Sequence, residues 1–102
     1  MRVIARRPLV EFWKKHAAAE NPLVEWYQRT RKATWSNFTD VKATFGQTDS
    51  AKVDSGRQVC IFDIGGNKFR LVAAVHYNTQ TVFILRVLTH KEYDWEKWKR
   101  EL

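Results

Sequence analysis

Cysteine is nearly absent from this 102-residue chain, and the single Cys60 excludes an internal disulfide. Histidine is scarce too, and His16, His76 and His90 are too scattered to give a metal-ligand spacing. Cys60 lies in an alternating apolar run, which predicts a buried thiol and not a nucleophile. The polar stretch from Gly46 to Gly56 holds Asp49, Lys52 and Asp54 without a glycine-rich phosphate cradle, so it reads as a mobile linking loop. No motif calls for a cofactor. Long apolar runs are missing: none reaches the length of a membrane span, and Met1 to Val10 lacks the apolar stretch of a signal peptide. A cytoplasmic protein without a membrane partner is the expectation. Acidic residues are also in deficit, with 11 Asp and Glu against 18 Lys and Arg for a net charge of +7. That balance favours an anionic partner and does not by itself choose among RNA, DNA, an acidic protein or an anionic surface.

What the chain has in quantity is aromatic bulk, with five Trp, six Phe and three Tyr to fill the core of a single domain over residues 1–102. Arg2 to Ala5 is a short candidate strand, and Pro8 suits the first turn of a helix in which Leu9, Phe12, Trp13, His16 and Ala17 recur at helical spacing. His16 therefore reads as a structural histidine. Asn21-Pro22 restarts a helix, with Asn21 as its cap, Leu23, Trp26, Tyr27 and Thr30 on one side and the basic run Arg29 to Lys32 toward water. The pair forms a helical hairpin. Asp40 to Phe45 has room for one or two further turns.

The period then changes from helical to two. Arg57 to Ile64, Phe69 to Tyr77 and Thr81 to Leu88 read as consecutive antiparallel strands. Pairing Ile64 with Phe69 and Tyr77 with Thr81 sets Asp63 opposite Arg70 and Val72 opposite Arg86. One face then carries Cys60, Phe62, Ile64, Phe69, Leu71, Ala73, Val75, Phe83, Leu85 and Val87, enough to bury the hairpin. The other carries Asp63, Arg70, Val72, Ala74, His76, Ile84, Arg86 and Leu88. Arg70 and Arg86 become diagonal neighbours able to grip one phosphate, or else Arg70 pairs with Asp63 and Arg86 lies over a C-terminal helix striped by Trp95, Trp98 and Leu102.

The last strand runs into Thr89-His90-Lys91-Glu92-Tyr93. Thr89 and Glu92 have the spacing of a capping box, which starts a short helix at His90 and offers its first N–H groups to an anion. His90 is a side chain suited to giving and taking a proton near neutral pH, and it is flanked by a cation, a carboxylate and a phenol.

Gly65-Gly66-Asn67-Lys68-Phe69-Arg70-Leu71-Val72 and Thr89-His90-Lys91-Glu92-Tyr93-Asp94 resemble signature segments of the HigB family of bacterial toxins, within the RelE-like messenger-RNA interferases. The likeness reaches Arg2-Val3-Ile4, Phe12-Trp13, Trp26-Tyr27 and Val41-Lys42-Ala43, and so covers nearly the whole chain. It implies an α/β (α+β) fold with a helical hairpin on one face of an antiparallel sheet and a short C-terminal helix. It further implies ribosome-dependent cleavage of translated mRNA and a HigA-like helix-turn-helix antitoxin, with DNA contacted only through that complex. Arg70, His90, Glu92, Tyr93 and Asp94 match the family's motifs and are the site candidates; of these Arg70, His90, Glu92 and Tyr93 are the catalytic ones, with Lys68, Arg86 and Lys91 as RNA contacts and no metal. The family's basic strand residue falls one place earlier, at Leu85, so either the strand bulges or Arg86 is not its equivalent. Arg70, aided by Arg86 and Lys91, is assigned to the phosphate, His90 to acid or base work, Tyr93 to stacking or proton transfer, and Glu92 to orienting His90 or capping. The alternatives are a non-catalytic basic RNA- or ribosome-binding module and, last, a DNA-binding accessory protein.

Overall fold

A computed structural model describes residues 1–102. Its centre is the run of strands β3 (Gln58–Ile64), β4 (Phe69–His76) and β5 (Thr81–Thr89), paired antiparallel as the alternation requires. Two short strands complete the sheet. β1 (Arg2–Ile4) runs parallel to β5, and β2 (Asp49–Lys52) runs antiparallel to β3, giving the order β1-β5-β4-β3-β2. The strand at β2 corrects the expectation of a loop. Its polarity is that of an edge strand, since only Ala51 reaches the core while Gln58 Nε2 donates to Ser50 Oγ across the pair at 2.7 Å.

Helices α1 (Arg7–Lys15) and α2 (Glu20–Lys32) form the hairpin, and α3 (Phe38–Thr44) follows with Asn37 as its cap. A 3₁₀ turn at Ala17–Ala19 leads into α2, so its cap is the buried Ala19 and Asn21 lies inside the first turn. Leu9, Leu23 and Trp26 from the helices meet Phe62, Ile64, Leu71 and Val82 from the sheet, with Trp35 and Val41 closing the layer. Here aromatic rings supply the bulk that a small chain needs: Trp26 and Phe62 meet edge to face at 5.3 Å between centroids. His16 stacks on Phe12 at 4.5 Å, in the structural place expected of it.

The opposite face is covered differently. Val53, Val59, Ile61, Val72 and Leu88 pack under Trp98, which belongs to a C-terminal segment split into α4 (His90–Asp94) and α5 (Lys97–Glu101). A single helix carrying Trp95, Trp98 and Leu102 on one stripe was expected, and Glu96 breaks it. Its φ of 58° turns the chain, while the Trp98 indole N–H donates to the Tyr93 carbonyl at 3.1 Å. Trp98 is thus buried and Trp95 faces solvent.

Register explains how residues are shared between the faces. Ile64 pairs with Phe69 and Asp63 with Arg70, as the turn chemistry predicts. That turn uses Gly65 at φ 64° and Gly66 at φ 71°, conformations that L side chains rarely adopt. The second turn is longer than expected. His76, not Tyr77, pairs with Thr81, because Gln80 clamps a four-residue turn by donating through Nε2 to the carbonyls of Trp35 and Tyr77 at 2.6 and 2.8 Å. A bulge then restores the expected pairing of Val72 with Arg86, since Ala73 pairs with Ile84 and Leu85 is the extra residue. Ile84 accordingly joins the helical side and Leu85 the Trp98 side, while Phe83 meets His76 edge to face at 5.1 Å, all three exchanged from the faces that a regular strand gives.

Candidate active site

Arg70 is brought to the site by β4 and is 8% exposed, so its charge needs internal partners. Asp63 supplies one across the strand pair, with Nε to Oδ1 at 3.2 Å. Nη1 donates to the Phe69 carbonyl at 3.2 Å, and Nη2 donates to Asn67 Oδ1 in the glycine turn. One N–H of each terminal nitrogen is hydrogen-bonded in this way and Nε faces Asp63 as an ion pair, which leaves one N–H on each terminal nitrogen. The guanidinium also lies 5.3 Å from the centre of the Tyr93 ring.

Thr89 and Glu92 form the capping box in full. Thr89 Oγ1 accepts from the Glu92 amide at 3.2 Å and Glu92 Oε1 accepts from the Thr89 amide at 2.9 Å. The His90 amide donates to the Lys68 carbonyl at 3.1 Å, so the helix start is largely satisfied from within and offers no open anion seat. The same bond fixes the glycine turn, and with it Lys68, beside His90. Glu92 is therefore the cap. The carboxylate that meets the imidazole is Asp94, whose Oδ2 lies 2.8 Å from His90 Nδ1 one helical turn on. Both side chains are about half exposed. Asp94 is among the positions that the family segment marks, while its pairing with His90 is what the sequence reading lacks, although the spacing of four on a helix is the signal that finds it.

Tyr93 points inward from α4 and stacks on Trp98, with centroids 5.5 Å apart and rings 16° from parallel. Burial, and then the Asp49 carboxylate on β2, raise its pKa above the usual phenol value, against the opposing pull of Arg70 and Lys99. Its hydroxyl is thus protonated throughout the neutral range. With Trp98 and Arg70 against its ring, the hydroxyl is the part left for chemistry. Arg86 goes elsewhere: its Nε lies 3.9 Å from Glu101 on α5, and Nη1 donates to the Leu85 carbonyl at 2.7 Å. The diagonal relation of Arg70 to Arg86 exists in the register, yet the two guanidiniums serve different carboxylates. Lys91 is exposed, with its Nζ 5.6 Å from the centre of the Trp95 ring. In the basic run of α2, Arg29 lies 4.6 Å over Phe45 and Arg31 5.5 Å over Tyr27, both at the surface.

Together these define a small basic α+β protein that carries an exposed imidazole–carboxylate pair and a buried arginine set against a half-buried tyrosine. A family model described as HigB_toxin, RelE-like toxic component of a toxin-antitoxin system, matches residues 19–96. The mRNA interferase toxin HigB of Escherichia coli strain K12 is 32% identical over 94 residues, covering 92% of this chain and 88% of that relative. The mRNA interferase HigB of Shigella flexneri matches to the same extent, and that of Escherichia coli O6:H1 is 23% identical over 92% of this chain and 89% of its own length. The chain belongs to the HigB family of RelE-like toxins. An antitoxin partner follows from that membership. No helix is long and apolar enough to cross a membrane.

Proposed function

We propose that residues 1–102 form one toxin domain, an endoribonuclease that cuts translated mRNA on the ribosome without a metal and so stops translation. The relatives named mRNA interferases support RNA cleavage, and the observation that carries the chemistry is the exposed His90 imidazole held through Nδ1 by Asp94 at 2.8 Å. With Nδ1 occupied by Asp94, Nε2 is the ring nitrogen left for the substrate. In the reaction the ribose 2′-OH loses its proton and its oxygen attacks the adjacent phosphorus. The P–O5′ bond breaks, the 5′-oxygen leaves with a proton, and a 2′,3′-cyclic phosphate remains. His90 serves as the acid or the base in these transfers. Tyr93, kept protonated, donates a hydrogen bond to a phosphoryl oxygen, and the two remaining N–H groups of Arg70 share that load with Lys68 and Lys91. The ribosome holds the mRNA strand in line for attack. The partner is a HigA-like helix-turn-helix antitoxin, DNA is met only through that complex, and the setting is the cytoplasm.

One observation favours a non-catalytic RNA-binding module instead: the Arg70 guanidinium is largely spent on Asp63, Phe69 and Asn67. Primer extension on one mRNA, with and without translating ribosomes, separates the two. Cuts that need ribosomes and vanish in an Arg70→Ala, His90→Ala double variant establish the interferase. A complete absence of cuts, with RNA affinity retained in His90→Ala, establishes the binder.

A further inference from the structure

Trp95 is the one large hydrophobic side chain that the fold leaves exposed, with 61% of its surface open. A tryptophan in water forgoes the burial that the other four of this chain obtain wholly or in part. The cause lies in the backbone. Glu96 at φ 58° ends α4 and turns the chain, so that Trp98 enters the core and Trp95 stays outside. A non-glycine residue in that conformation is unfavourable by itself. Nothing stacks on the indole except a cation: the Lys91 ammonium lies 5.6 Å from its centre, one helical turn back on the same side of α4. Each ring has two faces and one ammonium covers at most one of them. His90 begins the five-residue helix that Trp95 caps at its C-terminal end, five positions earlier and about 7.5 Å along the axis. An open π-face with a cation on its margin, a nucleotide's length from an imidazole–carboxylate pair, has the composition of single-strand recognition.

From this arrangement we infer that Trp95 is a stacking platform for the unpaired RNA base of a nucleotide that flanks the cut, with Lys91 on the scissile phosphate that this nucleotide shares. The inference rests on the RNA-directed reading above. Its role is positioning, since the indole touches a base and not the reacting atoms. Stacking of this kind accepts any base, because each has a π-face, and so Trp95 contributes affinity and placement without setting a sequence rule.

The test is fluorescence anisotropy of a labelled single-stranded RNA, free and then as the mRNA of programmed ribosomes, titrated with wild type, Trp95→Ala, Trp95→Leu and Trp95→Phe. Stacking predicts a loss of about 5- to 150-fold in affinity for Trp95→Ala. Trp95→Leu should share that loss, and Trp95→Phe should recover most of it. A series of RNAs with one abasic position each then locates the contact, because at the stacked position wild type and Trp95→Ala should bind alike. Circular dichroism confirms that the variants fold. Equal affinities of wild type and Trp95→Ala on both RNAs overturn the inference, as does full retention in Trp95→Leu or failure of wild type to bind either RNA. Unchanged RNA affinity with weakened antitoxin binding overturns it in favour of a protein contact. Wild-type binding that depends on Trp95 without any cleavage refutes the nuclease and leaves the platform standing.

Discussion

Asp94 and His90 are joined at 2.8 Å through Oδ2 and Nδ1, and no other carboxylate is paired with that imidazole. A carboxylate on Nδ1 orients the ring and leaves Nε2 as the nitrogen free for substrate. Asp94→Asn should lower ribosome-dependent cleavage by about 10- to 100-fold with little change in RNA affinity. Glu92→Gln, which keeps an acceptor for the Thr89 amide, should leave the rate close to wild type. Single-turnover cleavage on programmed ribosomes checks both.

Tyr93 is expected to act as a donor. Burial holds its proton, so raising the pH from 6 to 8 should not recruit it as a base. Tyr93→Phe retains the stack on Trp98 and the surface under Arg70 while removing the hydroxyl. Cleavage should fall about 10- to 100-fold, near the lower range for loss of one positioned donor, while thermal unfolding shifts little. A phenylalanine variant as fast as wild type would leave the ring with a structural role alone.

Alkaline pH should weaken the fold through Cys60. Burial raises its thiol from 9.0 to about 11, and burial with the neighbouring Cys60 raises Tyr77 from 10.0 to about 12. Both groups hold their protons more tightly folded than unfolded, so their contribution is complete below the unfolded pKa and is lost as pH rises. For Cys60 the window runs from pH 9.0 to about 11, at about 1.4 kcal/mol per pH unit at most. Urea unfolding at pH 7 and pH 10 measures the loss, and Cys60→Ala should flatten it.

On α2, Thr30 is fully buried and its hydroxyl has no hydrogen-bond partner. An unpaired buried hydroxyl costs about 1–3 kcal/mol. Thr30→Val keeps the shape and removes the polar atom, and should raise stability by about 1 kcal/mol. Chemical denaturation of the two proteins checks the sign; a destabilised valine variant would mean that the hydroxyl is satisfied in solution.

The period-two pattern and two turns sufficed to place β3, β4 and β5, and the spacing of Thr89 and Glu92 to place the start of α4. The failures share a cause, which is control from a distance. Gln80 lengthens the second turn through bonds to Trp35, 45 residues away in sequence, and no local propensity reports that. The parity of β5 then depends on one unpaired residue, Leu85, with nothing in its own chemistry to mark a bulge. β2 escaped detection because an edge strand with one side to water has little need of apolar alternation. In the site, Arg70, His90 and Tyr93 were legible as residue types. Their division of labour was legible only as alternatives, of which Glu92 takes the cap and Arg86 the C-terminal helix, while the pairing of Asp94 with the imidazole was not foreseen.

The bulge has a second effect, on how copies of the chain meet. β1 covers β5 only as far as Phe83, so from Ile84 onward β5 forms the margin of the sheet. Leu85 falls just there. An extra residue interrupts the even row of N–H and C=O groups that another strand would need in order to add itself, and this margin is thereby guarded against edge-to-edge pairing with a second copy of the chain.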